Sequence, residues 1–278
     1  LAFKLVFTEV ASPFAQALQR ELEHYTFAIV TPSVNGVNGA SSDDPGLIID
    51  TRAYAGVAHP EVSLQELPVI HISSHEVFAE AENGSGYSEQ DVPNGTSPRA
   101  LALITAEANA LQHPKTLILR LPLLVDVHPG DWFAALLARL STESWLSVSE
   151  TTRLDPVCMK EACRVVVAVV QQIACGAENW GVMHLRSAEP CFEAEFTDHL
   201  VRQLKKESWP VAQLDVIKGP SIWTGAASVL AGRRITDTFG VQMRSWRLGV
   251  KSLMQRWIEQ RREAQGSVDD IDVPASVQ

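Results

Sequence analysis

The sequence predicts an α/β protein, a doubly wound parallel sheet followed by a smaller C-terminal α/β domain. Two observations carry this. Short apolar runs of strand length alternate with amphipathic stretches of helix length through the first half, the pattern that builds a parallel sheet covered by helices. The opening run also passes directly from strand to helix, since residues 4–18 read KLVFTEVASPFAQAL. With 278 residues, 46% of them hydrophobic, the chain can bury the core of one large or two modest domains.

The elements follow in order. Leu5, Val6 and Phe7 form the first strand, and Phe14, Leu18 and Leu22 recur at helical spacing over 14–23. Further strands are expected at 27–30, 47–49, 69–72 and 117–121, with a helix over Arg99–Gln112. Residues 32–46 and 80–98 are rich in Gly, Pro, Ser, Asn and Asp and read as loops. In the second half, 156–174, 192–206 and 244–265 carry helical patterns, and 182–185 and 214–217 read as short strands. The division expected is 1–145 for the sheet domain, 146–232 for the smaller domain, 233–264 for a closing segment with the terminal helix, and 265–278 for a polar, acidic, disordered tail.

Charge and composition exclude several classes. A net charge of −10 argues against nucleic-acid binding, because phosphate contacts need Lys and Arg. Residues 233–262 carry +6, leaving −16 on the remainder. That basic segment is expected to pack Trp246, Val250, Leu253, Met254, Trp257 and Ile258 on the body; its arginines also make a small anionic ligand a candidate partner. Cys158, Cys163, Cys175 and Cys191 show no C-x-x-C and suggest a reduced, cytoplasmic setting. The first residues are strand-like and lack a basic n-region, so no signal peptide is expected. No apolar stretch is long enough to span a membrane. No His/Cys/Asp/Glu spacing suggests a metal; His71 and His75 alternate with apolar residues and read as core or rim histidines.

The first strand–turn–helix is where a dinucleotide fold places its glycines. At the spacing G-x-x-G-x-x-G those positions fall on Glu9, Ser12 and Ala15, none of them glycine. Glycines there let the backbone approach a pyrophosphate held at the helix N-terminus. A carboxylate instead occupies the place of the phosphate charge.

Three ordered stretches, VIHISSHEVF (69–78), GYSEQDVP (86–93) and TLILRLPLLV (116–125), resemble the extended short-chain dehydrogenase/reductases, most closely the dTDP-4-dehydrorhamnose reductase branch. Gly240, Trp246, Arg247, Gly249 and Val250 resemble that branch's closing segment, and the likeness spans roughly residues 3–258. It implies a Rossmann-like body, an NAD(P) cofactor and a nucleotide-sugar substrate. It also implies a hydroxyl residue, matched by Ser74, and a Tyr/Lys pair eight and four residues before a helix glutamate. With Glu107 as that glutamate, the pair positions hold Arg99 and Leu103. Proton relay needs a phenol whose pKa is lowered by an ammonium; arginine cannot give that proton at neutral pH, and leucine cannot lower a pKa. The family's substrate loop survives only as ETTRLDPV (150–157), and the helix expected before the 69–73 strand is cut to AGVAHPEVSLQELP (55–68).

The leading reading is therefore a catalytically degenerate reductase relative that acts by binding, regulation or scaffolding, with no cofactor expected. One alternative is an NAD(P)-dependent reductase or epimerase-type enzyme on a nucleotide sugar, with Ser74, Tyr54, Tyr87 and Arg99 lining an atypical cleft. Another is a nucleotide-sugar sensor. Because 55–68 is short and helix 99–112 is apolar on more than one face, that helix is the expected contact with a protein partner or an altered homodimer.

Overall fold

A computed structural model describes residues 2–31, 45–56, 67–80, 86–219 and 229–269. The chain opens with β1 (Lys4–Phe7), α1 (Pro13–Leu22), β2 (Ala28–Val30), β3 (Gly46–Asp50), the short α2 (Arg52–Ala55) and β4 (Val69–Ser74). A 3₁₀ turn at His75–Val77 leads towards α3 (Pro98–Ala110), β5 (Thr116–Leu121), β6 (Leu123–Val125), α4 (Trp132–Thr142), β7 (Trp145–Ser149), β8 (Arg153–Leu154) and β9 (Pro156–Cys158). Then come α5 (Met159–Ala174), β10 (Gly181–His184), β11 (Cys191–Phe192), α6 (Glu193–Lys206), β12 (Gln213–Ile217), α7 (Arg234–Phe239) and α8 (Trp246–Asp269).

Six strands form one sheet in the order β10-β5-β4-β3-β1-β2, every pair parallel. The two-residue period of a strand divides its faces. Leu5, Phe7, Leu47, Ile49, Ile70, Ile72, Leu117 and Leu119 join one apolar core with Phe14, Leu18 and Leu22 of α1 and the valines of α5. The opposite face, under α3, carries the buried polar residues Asp50, His71, Ser73 and Arg120. Asp50 accepts from Thr8 (2.8 Å), Arg52 (2.9 Å) and His71 (3.2 Å). Burial pushes its carboxyl up, but the bonds and charges of His71 and Arg52 prevail and hold it well below the usual range.

The second core lies between α4, α6, α8 and β7, around Phe133, Leu137, Phe196, Leu200, Trp246 and Trp257. It does not follow a cut at 145/146: α4 belongs to it, whereas α5 and β10 return to the main sheet. The parallel pairing of β10 with β5 needs a long crossover, and α5 is that crossover. Helix α4 was not expected, although Asp131 caps it and Phe133, Leu136, Leu137 and Leu140 recur at helical spacing. The helix expected from Pro156 starts at Met159, because Pro156–Cys158 pairs with β6 as a strand. Helix α8 runs to Asp269, so residues 265–269 are helical rather than part of the tail: Gly266 weakens a helix without ending it, and the next proline is Pro274. At Gly249 a Cβ would collide with the Cys158 side chain, so glycine is what lets α8 lie against β9.

The expected loop 32–46 falls outside the described residues except at Pro45 and Gly46, the latter beginning β3; residues 57–66, 81–85, 220–228 and the tail from 270 also fall outside. Among the described residues no helix is long and apolar enough to cross a membrane, no metal-binding cluster occurs, and the four cysteines are unpaired.

Asp155 ties the two halves together, accepting from the Ser187 amide (2.8 Å) and the Leu230 amide (3.3 Å). Burial pushes it up to about 7 against those bonds. The folded state therefore binds the proton more tightly than the unfolded chain, and this contribution to stability falls as pH rises from about 4 to about 7. Urea melts at pH 5 and pH 8 should show a larger loss for the wild type than for Asp155→Asn, by on the order of 1–3 kcal/mol; equal losses would remove Asp155 as the cause.

Candidate functional site

The turn between β1 and α1 is closed by its own side chain. The Glu9 carboxylate accepts from the amides of Ala11 and Ser12 (2.7 Å for Ser12) and from the Ser12 hydroxyl (2.7 Å). The Thr51 hydroxyl reaches both the Glu9 carbonyl (3.2 Å) and its carboxylate (3.3 Å). Glu9 is only 8% exposed. Ser12 also caps α1, its oxygen accepting from the Ala15 amide at 3.3 Å. These amides, at a helix N-terminus, are donors that an anion would otherwise seek. Ala15 is fully buried.

Beside this turn opens a cleft of about 600 Å³. Its walls come from Glu9 and Ser12, Tyr54 of α2, Ser74–Glu76 at the end of β4, Arg99 at the start of α3, and the segment from Pro122 through Trp132. Arg99 Nε lies 2.9 Å from both Glu76 oxygens, and Arg99 Nη2 donates to the Tyr54 carbonyl at 2.8 Å. Ser74 caps the 3₁₀ turn, accepting from the Glu76 amide (3.3 Å) and donating to the Glu76 carboxylate (3.2 Å). Burial, reinforced by Glu76, pushes the Tyr54 phenol above its ordinary range. A phenol so shifted holds its proton more tightly than one tuned for relay.

Three of the four expected cleft residues, Ser74, Tyr54 and Arg99, thus meet. Tyr87 does not: it stacks on Phe78 with centroids 4.2 Å apart, and its amide donates to Val229. Leu103 lies in the core with Val77, Phe78, Ala106 and Leu230, one helical turn from Arg99 and out of the cleft. Glu76, His128, Asp131 and Trp132 were missed as site residues. The signal for Asp131 and Trp132 was the same helix cap that marks α4.

His128 Nδ1 lies 3.0 Å from the Pro129 carbonyl, which can only accept, so Nδ1 carries a proton. Its Nε2 faces Asp131 at 3.4 Å. Burial pushes Asp131 up to about 6, opposed by the Phe133 amide and by His128.

Beneath the cleft a buried relay fixes α3. Glu107 accepts from Ser73 (2.6 Å) and from two nitrogens of Arg120 (2.9 and 2.7 Å). Arg120 also lies 3.2 Å from His184 Nε2 and 4.9 Å from the Phe78 ring centre. His184 Nδ1 donates to the carbonyls of Tyr87 (3.0 Å) and Ala231 (2.9 Å), leaving Nε2 to accept from Arg120. Burial and Arg120 both lower its pKa, keeping the ring neutral.

The signature of the RmlD substrate binding domain matches residues 41–258. The chain belongs to this family. No curated protein sequence matches it. Solved structures share the fold at low identity. The dTDP-4-dehydrorhamnose reductase from Clostridium acetobutylicum is 14% identical with a TM-score of 0.68, over 91% of this chain and 98% of that one. The reductase of the same name from Bacillus anthracis, in complex with NADP, is 14% identical with a TM-score of 0.69, over 92% and 100%. RMD from Pseudomonas aeruginosa, complexed with NADPH, is 14% identical with a TM-score of 0.69, over 92% and 99%. The chain thus shares the fold of these reductases, and its cleft lies beside the turn after β1. The residues present fit a dinucleotide poorly, because Glu9 already takes the turn's donors.

Proposed function

We propose that this RmlD-family chain acts by binding a ligand in its cleft and does not transfer hydride. The observation that carries the reading is the Glu9 carboxylate seated on the amides of Ala11 and Ser12. A dinucleotide phosphate would have to displace a buried, hydrogen-bonded carboxylate and meet its repulsion in a site of reduced dielectric. The acid–base chemistry argues the same way. Arg99 at the tyrosine position is engaged with Glu76, Leu103 at the lysine position is buried, and Tyr54 is shifted away from proton donation.

Trp132 lines the cleft and serves as the reporter. Titration with NADH and NADPH should leave tryptophan fluorescence unquenched through the micromolar range, and no NADPH oxidation should accompany added keto sugar nucleotide. Saturable quenching with turnover would establish the alternative, an NAD(P)-dependent reductase.

The regulatory side of this reading places a second copy of the chain on the outer face of α3. Leu101 and Leu111 are 54% and 46% exposed there, and the outward residues between them carry no charge. Leu103, by contrast, faces inward and is not part of that surface. Leu101→Glu should dissociate the assembly in light scattering while changing monomer stability by no more than about 0.5 kcal/mol. An unchanged monomer in both proteins would exclude this face as a homodimer contact.

A further inference from the structure

We propose that the cleft takes an uncharged carbohydrate, a pyranose without a phosphate group, in preference to a nucleoside diphosphate sugar. The proposal rests on the binding reading above and names its ligand class.

A diphosphate needs cations or free backbone amides. The amides of the β1–α1 turn are held by Glu9. Among the described residues lining the cleft, Arg99 is the one Lys or Arg, and it is committed to Glu76 and to the Tyr54 carbonyl. The segments outside the described residues, 32–44, 57–66, 81–85, 220–228 and 270–278, contain no Lys or Arg, so none of them can supply an ammonium or guanidinium. Against this stand three carboxylates, Glu9, Glu76 and Asp131. A dianionic ligand would meet three carboxylates with Arg99 already paired, the imidazoles of His75 and His128 being the other basic groups in the wall.

What remains suits a neutral polyol. The Trp132 side chain lies in the wall, its Nε1–H donating to the Leu124 carbonyl (2.8 Å) and its ring also resting near Phe133 and Phe196, which holds its orientation. Such a ring packs against the C–H face of a sugar and offers large contact area at low entropic cost. His128 and Asp131 sit next to it as a hydrogen-bonding pair, with Ser74 and Glu76 also in the wall. Carboxylates and imidazole both pair well with hydroxyls, which donate and accept. A volume of about 600 Å³ accommodates a small carbohydrate.

Calorimetry on the full chain tests this with methyl glycosides of the common hexoses and 6-deoxyhexoses, and with UDP-glucose and dTDP. At least one neutral glycoside should bind, and UDP-glucose and dTDP should bind more weakly than it does. Trp132→Ala should weaken that glycoside by roughly tenfold or more while Trp132→Phe retains it, circular dichroism confirming that both are folded. Glu76→Gln, which releases Arg99 from its ion pair, should strengthen dTDP binding. Tighter binding of UDP-glucose or dTDP than of every glycoside would overturn the proposal while leaving a non-catalytic binder intact. Failure of every glycoside at about 10 mM would overturn it as well. NADPH turnover would instead overturn the binding reading itself.

Discussion

Glu107→Ala is expected to destabilise the protein by about 3–5 kcal/mol, enough to unfold a large fraction of the chain at 37 °C. Glu107 and Arg120 are 4% and 3% exposed and form a two-point ion pair. Removing the carboxylate leaves a buried guanidinium with the Phe78 ring and the neutral His184 as partners but no counter-charge. It also strips Ser73 of its acceptor. Urea denaturation of the single variant and of Glu107→Leu/Arg120→Met separates the pair from the site. The double variant, which buries no charge, should recover much of the loss. Equal destabilisation of the two would show that packing, not charge, is what Glu107 supplies.

Leu103→Glu should cost about 3 kcal/mol or more, by placing a carboxylate in the core formed by Ala53, Val77, Phe78, Ala106 and Leu230. The contrast with Leu101→Glu, two residues away on the exposed face, is the diagnostic part. Thermal melts that rank the two variants in the opposite order would mean that α3 is turned the other way round.

The sheet was legible because its strands are short runs rich in Leu, Ile and Val between polar segments, and the turn because missing glycines can be counted directly. Tyr54, Ser74 and Arg99 could be grouped because the family resemblance pointed to them, and they meet where β4 ends and α2 and α3 begin. Other features depended on tertiary context. Glu9 could be read as an anion in the wrong place, but not as a side chain folded back onto the amides of Ala11 and Ser12. Tyr87 can be read from sequence as a cleft residue or as one that fixes its loop, and the Phe78 stack and the backbone bridge to Leu230 favour the second. Leu103 was on an apolar helix whose two faces cannot be told apart by periodicity alone, since alanines dilute both. The return of α5 and β10 to the first sheet is a long-range pairing, and no local pattern in 159–184 announces it.

The central claim is that Glu9 closes the phosphate turn from within. Calorimetric titration of wild type and Glu9→Gly with pyrophosphate and with NADPH tests it most directly. The wild type should give no measurable heat of binding, and the glycine variant should bind pyrophosphate saturably, its freed Ala11 and Ser12 amides regaining an anion site. Binding of either ligand to the wild type as tightly as to Glu9→Gly would contradict it.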